Sequence, residues 1–264
     1  MGNDSIKKTL LVTVVLSLIC SVLVSAAAVF LKPVQDQNIK LDVQRNILAI
    51  SGLTQDAKSL SVAEVTELYK RIQPRLVDLK TGKFVDEANG LTVDQYDQRV
   101  AAKDPNASEA LPGSKDIAGI KRQADVAKVY LVEQDGKMQT LILPVHGYGL
   151  WSTMYGFLAL ENNLNTVKGF GFFEQAETPG LGGEVSNPVW KSKWSGKEIY
   201  GVDGQVALHV IKGGVDPTNP GAMNQIDGLA GATLTANGVS NLIKFWLSDT
   251  GFKLFLNNLK AGNA

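Results

Sequence analysis

The hydrophobic pattern begins with an uncharged run. From Thr9 to Leu31 no side chain carries a charge; Lys7 and Lys8 precede the run and Lys32-Pro33 follow it. As a helix, such a stretch is long enough to cross a bilayer. The alternative is a cleaved signal peptide with Ser25-Ala26-Ala27 as its small-residue site. The apolar run continues through Val29-Phe30-Leu31, past the usual length of a signal's apolar region, which favours an uncleaved anchor. Lys32, Lys40 and Arg45 behind the run leave its orientation weakly encoded, and long domains translocate largely regardless of charge. The expectation is a short cytoplasmic tail at 1–8, a transmembrane helix at 9–31 and a large domain outside.

Behind the anchor the period becomes helical. Ile39, Val43, Ile47 and Leu48 form a stripe over Gln35–Ile50, and Ser51-Gly52 stops it. Ser61 with Glu64 three residues on reads as a capping box. The helix it opens is predicted to bury Val65, Leu68, Ile72 and Leu76, with Pro74 kinking or ending it. Gly82 to Gln123 is polar, with Asp, Asn, Pro and Gly throughout. Its apolar patches, Val100-Ala101-Ala102 and Ile117–Ile120, are too short to fix a core. This segment reads as a long connection over the domain, of a length that is often functional. Residues 32–126 are thus expected to form a helical and loop-rich region packed on a core at 127–264.

From Ala127 the pattern changes to strands. Val129 and Leu131, then Met138, Leu141 and Leu143, flank Gln134-Asp135-Gly136-Lys137, a hairpin signal. Pro144 to Trp151, with Gly147 and Gly149 among aromatics, suggests a bend that brings backbone close to something flat. Met154–Leu160 and Val167–Glu174 are further strands, the second with interior glycines that mark close approach of another group. Asn187-Pro188 starts a short helix bearing Trp190 and Trp194. Gln205–Ile211 reads as a strand with His209 on it. Val239, Leu242, Ile243 and Trp246 fall at helical spacing, and Ser248–Leu259 is a closing helix.

Composition narrows the chemistry. The 264 residues carry 26 basic and 26 acidic side chains, so no charge excess points to nucleic acid. The single cysteine, Cys20, lies in the apolar run, which excludes an intramolecular disulfide, a cysteine metal site or an iron–sulfur cluster held by this chain alone. His146 and His209 belong to no metal-spacing pair and read as structural residues. No P-loop and no GxSxG is present, and Gly180-Leu181-Gly182-Gly183 does not open a helix after a strand as a dinucleotide fingerprint does. An NADH site in this chain is not expected.

Two stretches carry candidate chemistry. Asp227-Gly228-Leu229-Ala230-Gly231-Ala232-Thr233-Leu234-Thr235 has the composition of a tight turn opening onto a helix. Thr235 suits an N-cap with Thr233 just outside it, so a phosphate at Thr233 would meet the free N–H groups of a helix start. Glu174-Gln175-Ala176-Glu177-Thr178-Pro179-Gly180-Leu181-Gly182-Gly183-Glu184 is, on composition, a Gly/Pro loop.

The order of types, Asp-Gly-x-x-Gly-Ala-Thr, resembles the flavinylation motif of the FMN-binding domain family. Glu-Thr-Pro-Gly-Leu-Gly at 177–182 resembles that family's second signature, a loop over the isoalloxazine ring. The longer run at 227–235 is similar to the NqrC branch of the family, from Na+-translocating NADH:quinone reductases; Ala230 departs from the Ser or Thr often found there, leaving the Asp and the acceptor Thr in place. The resemblance implies FMN on Thr233 through a phosphoester. It implies cofactor binding by Glu177, Thr178, Leu181, Gly182, Asp227, Gly231, Ala232 and Thr235, with Trp151 and Tyr155 as further candidates.

The fold it implies is α+β: a single N-terminal transmembrane helix, then an FMN-binding domain with a mainly antiparallel sheet and flanking helices. The implied role is electron relay between an iron–sulfur centre and another flavin subunit of a complex that oxidises NADH, reduces ubiquinone and moves Na+. Implied partners are the flavin, iron–sulfur and quinone-site subunits of that complex and a flavin transferase. The implied location is the bacterial inner membrane, single-pass, with the C-terminal domain periplasmic. Two alternatives stand beside it: the equivalent flavin subunit of an Rnf-type complex, and a non-enzymatic membrane-anchored binding or assembly domain with an unmodified Thr233.

Overall fold

The computed structural model describes residues 5–54 and 56–264. Half of the expected tail at 1–8 lies outside them. The chain forms two compact units, Met1–Val43 and Gln44–Ala264. The first is helical. Helix α1 (Ile6–Ser51) contains a window of mean hydropathy 2.7, long and apolar enough to cross a bilayer, and Leu10, Leu16, Leu23 and Phe30 are exposed along it. From Gln44 onward α1 belongs to the second unit, where Ile47, Leu48 and Ile50 are buried. Gly52 ends the helix at φ +78°, a conformation that suits glycine.

In the second unit, α2 (Val62–Tyr69) carries the expected capping box. Ser61 Oγ accepts from Glu64 N at 3.3 Å, and Glu64 Oε2 accepts from Ser61 N at 2.8 Å. The helix does not run on to Leu76 as predicted. Residues Ile72–Asp78 are strand β1, paired antiparallel with a later strand along their whole length. Pro74 disfavours helix at Gln73 and in its own preceding turn. On its other side β1 pairs with β2 (Lys83–Val85) only at Leu76, Val77 and Asp78, so the missing N–H of Pro74 falls where the strand has one neighbour.

The polar stretch that follows is more built than its sequence suggests. It holds a hairpin of β3 (Glu87–Ala88) and β4 (Leu91–Thr92), a one-turn helix α3 (Gln98–Ala101) and a pair formed by β5 (Ser108–Ala110) and β6 (Arg122–Ala124). Ala88, Tyr96, Ala101, Ala107 and Ala124 close around Leu76 as a small second core. Small alanines leave little hydrophobic signal, but Tyr96 fixes the cluster by donating to the Val126 carbonyl at 2.6 Å.

The central sheet adds β7 (Val126–Gln134), β8 (Lys137–Tyr148), β9 (Thr153–Glu161) and β10 (Val167–Glu174), in the order β10-β9-β8-β7-β1-β2, all antiparallel. It therefore draws β1 from the region expected only to pack on it. The hairpin at Asp135-Gly136 is as expected, with φ of +53° and +70°. After β10 come a 3-10 turn at Gly182–Ser186 and helix α4 (Pro188–Ser192), capped by Asn187. The strand expected at Gln205–Ile211 shortens to β11 (His209–Val210), parallel to β12 (Gln225–Ile226).

Helix α5 (Thr233–Leu247) buries Val239, Leu242, Ile243 and Trp246 on the sheet, and Trp246 Nε1 donates to the His146 carbonyl at 2.7 Å. Helix α6 (Lys253–Ala261) starts later than Ser248 because Phe252 N turns back to the Trp246 carbonyl at 2.6 Å. Trp194 stacks on Phe170 at 4.1 Å and closes the core on the α4 side.

Candidate functional site

Glu177 is the centre of the site. Its residue is 4% exposed, yet its carboxylate is fully partnered. Oε1 accepts from the backbone N–H of Leu150, Trp151 and Ser152 at 3.1, 3.0 and 3.3 Å. Oε2 accepts from the Thr235 hydroxyl at 2.6 Å. Burial alone raises the pKa of this carboxyl; the Thr235 hydroxyl and the three N–H groups outweigh it and hold the group below the ordinary carboxylate range. One anion thus ties together three segments far apart in sequence: the turn after β8, the loop after β10 and the first turn of α5.

The glycines allow this convergence. A Cβ on Gly149 would lie 2.6 Å from Glu177 Oε1, and one on Gly182 would lie 2.5 Å from Thr235 Oγ1 and 2.9 Å from Glu177 Oε2. The bend at Gly147–Trp151 was expected to approach something flat; within the chain, what approaches it is the Glu177 carboxylate. Gly238 on α5 packs against the Tyr148 carbonyl, where a Cβ would sit at 2.5 Å. The loop itself is closed by the Thr178 carbonyl, which accepts from Leu181 N at 3.1 Å and Gly183 N at 2.9 Å.

Asp227 holds the second turn. Its Oδ1 accepts from Val215 N at 2.8 Å, its Oδ2 pairs with the Lys193 ammonium, and its carbonyl accepts from Trp190 Nε1 at 2.9 Å. Burial raises this carboxyl's pKa; Lys193 and the Val215 amide outweigh that and lower it. Gly231, at φ +68°, brings the turn against Leu181, whose Cδ2 would be 3.0 Å from a Cβ there. Leu181 is 44% exposed.

The first residue of α5 is Thr233, not a residue after Thr235. The N-cap position is Ala232, which has no side-chain oxygen, so α5 starts without a side-chain cap. Thr235, expected as the cap, sits at the third helical position, 1% exposed, with its hydroxyl given to Glu177. The carboxylate won because Gly182 leaves room for it directly over the helix start.

The model of the FMN-binding domain family matches residues 149–248, the span holding both motifs and the turn over Glu177. The NqrC chain of the Na+-translocating NADH-quinone reductase of Pseudomonas aeruginosa is 55% identical over 264 residues, covering 100% of this chain and 99% of that protein. Its Vibrio alginolyticus counterpart is 49% identical over 261 residues, covering 99% and 98%. The chain belongs to the NqrC family of Na+-translocating NADH-quinone reductase subunits. The crystal structure of Shewanella oneidensis NqrC matches with TM-score 0.74 and 37% identity, over 83% of this chain and 96% of that one. The alternative of an Rnf-type subunit gives way to this membership, and the chain is a subunit of a redox translocase rather than a separate assembly domain.

The residues present fit the FMN phosphate of this family. The first four amides at a helix start have no intrahelical acceptor; here Ala232 N turns back to the Leu229 carbonyl at 3.2 Å, and no side chain caps the helix. The Thr233 hydroxyl beside them is exposed and has no hydrogen-bond partner among the described residues. A helix start so arranged favours an anion.

The fold brings Glu177, Leu181, Gly182, Gly231, Ala232, Thr233 and Thr235 together around the α5 start, Thr178 closes through its carbonyl the loop that carries the first three, and Asp227 anchors the turn before α5. Trp151 lends its amide to Glu177, and the residue is 65% exposed. Tyr155 is placed otherwise: its ring stacks on His146 at 5.3 Å and lies under the Arg99 guanidinium at 3.7 Å. The sequence reading missed the Leu150 and Ser152 amides, Lys193 and Arg99. Backbone donors carry no residue signature; Lys193 stands one residue before Trp194 in a stretch legible only as a short helix.

Proposed function

We propose that this chain is the electron-carrying NqrC component of a membrane Na+-translocating NADH:ubiquinone reductase, with FMN joined by a phosphoester to Thr233. It relays electrons between an iron–sulfur centre and another flavin subunit. The supporting observation is the pairing of an exposed Thr233 hydroxyl, unpartnered among the described residues, with an uncapped helix start, beside a loop held over that start by Glu177. Bound FMN supplies the redox chemistry. The chain's own part is to hold and orient. The α5 amides would hold the phosphate, Leu181 and the Thr178–Gly183 loop would hold the ring, and the Glu177 carboxylate keeps loop, turn and helix in register.

Thr233 is the acceptor and Thr235 is not, because the Thr235 hydroxyl is buried and donates to Glu177. A flavin transferase, with FAD as donor and a divalent metal, attaches the group. The apolar part of α1 anchors the chain once in the bacterial inner membrane, with the C-terminal unit in the periplasm. NADH, Na+ and quinone sites belong to partner subunits.

The test is the whole complex carrying Thr233→Val. NADH oxidation by a soluble artificial acceptor persists and quinone reduction falls by orders of magnitude. Quinone reduction at the parent rate would refute the relay.

A further inference from the structure

The loop that carries Glu177 leaves the sheet at an irregular point. β10 pairs in register with β9 from Gly169 to Phe172, then shifts for a second time, so that Glu174 opposes Tyr155. Such a bulge re-aims the chain that follows it. Glu174 is the last residue before the loop, and it is gripped from outside the sheet. Arg99 Nη1 donates to Glu174 Oε2 at 2.6 Å and Nη2 donates to Oε1 at 3.0 Å, a bidentate fork between residues 75 apart in sequence. The same guanidinium lies 3.7 Å from the centre of the Tyr155 ring, so it covers both members of the shifted pair. Beyond Glu174 the constraints run on without a gap: Gln175 Oε1 accepts from Glu177 N at 2.7 Å, and Ala176 N donates to Ser152 Oγ at 2.9 Å.

Arg99 stands on α3, in the polar stretch 82–123, which also supplies the sheet's edge strand β2. Its helix is held by Asp97, which caps Arg99 N at 2.7 Å, and by Gln98, which accepts from Lys128 N at 3.2 Å. We propose that Arg99 is a positioning residue for the flavin loop, and that the 82–123 stretch serves as a brace that delivers it to the bulged end of β10. The proposal deepens the flavin reading of the same site and rests on it for its functional meaning. Side-chain exposures of 45% and 52% leave the pair open to screening by salt. That sensitivity separates a charge brace from simple packing.

The experiment is hydrogen exchange on the full-length chain in detergent carrying Thr233→Ala, which removes the flavin acceptor. Arg99→Gln and the nearly isosteric Glu174→Gln each speed exchange at the Ala176 and Glu177 amides and at Leu150–Ser152 by about three- to ten-fold. The double variant is no faster than Arg99→Gln alone, which already removes both the Glu174 fork and the Tyr155 contact. The differences shrink at about 1 M NaCl. Lys80→Gln, which breaks the Lys80–Asp125 ion pair (2.8 Å) between the two ends flanking that stretch, leaves these amides unchanged. Parent-like exchange in both single variants, an additive double variant, an equal effect of Lys80→Gln, or insensitivity to salt would each overturn the brace. Loss of the flavin reading would show separately, as a native chain without FMN.

Discussion

The Thr235 hydroxyl donates a 2.6 Å hydrogen bond to Glu177 Oε2, and both residues are buried. Thr235→Val keeps the shape and removes the donor, leaving the buried Glu177 Oε2 with only the longer 3.2 Å bond from Leu150 N. Such a loss costs about 1–3 kcal/mol. The urea midpoint of the full-length chain should fall accordingly, while Thr235→Ser stays near the parent.

The lowered pKa of Glu177 has a pH consequence. A depressed carboxyl contributes stability above its unfolded value of about 4.3, and loses it as pH falls through the folded value. Glu177→Gln should therefore destabilise the chain at pH 7 and flatten its acid limb below about pH 4. An acid limb as steep as the parent's would contradict the role given to Glu177.

His146 titrates in a different window. Burial first, and then Arg99, pushes its pKa down to about 4. Its neutral form is the folded one, so stability is intact above the unfolded value of about 6.5 and declines as pH falls from there through 4. The full effect is roughly 3 kcal/mol by the size of the shift. His146→Phe should remove the decline between about pH 6 and 4, read from thermal unfolding at each pH.

Gly182 and Gly180 lie in one loop and should respond differently. Gly182→Ala drives a Cβ into Thr235 Oγ1 and Glu177 Oε2; overpacking of this kind costs about 1–3 kcal/mol and should abolish FMN loading. Gly180→Asn meets open space at a φ of +75°, which Asn tolerates, and loading should persist. In-gel flavin fluorescence distinguishes the two.

Much of the site was legible because its glycines and threonines form ordered motifs. The capping box at Ser61, the Asp135-Gly136 hairpin and the strand at Val167–Glu174 were equally plain in local pattern. What sequence hid was long-range. Ile72 and Leu76 fit a helical stripe as well as a strand, and only pairing with β7 decides between them. Thr235 looks like a cap until a carboxylate from 58 residues away takes its hydroxyl. The core around Tyr96 is built from alanines, too small to register as a hydrophobic period. Arg99 acts through a contact that no spacing encodes.

The most direct test is intact-mass spectrometry with peptide mapping of the chain from native membranes. An FMN phosphoester on Thr233, with Thr235 unmodified, is the result this structure predicts. An unmodified Thr233 in chain made alongside a working flavin transferase, or FMN on Thr235, would contradict it.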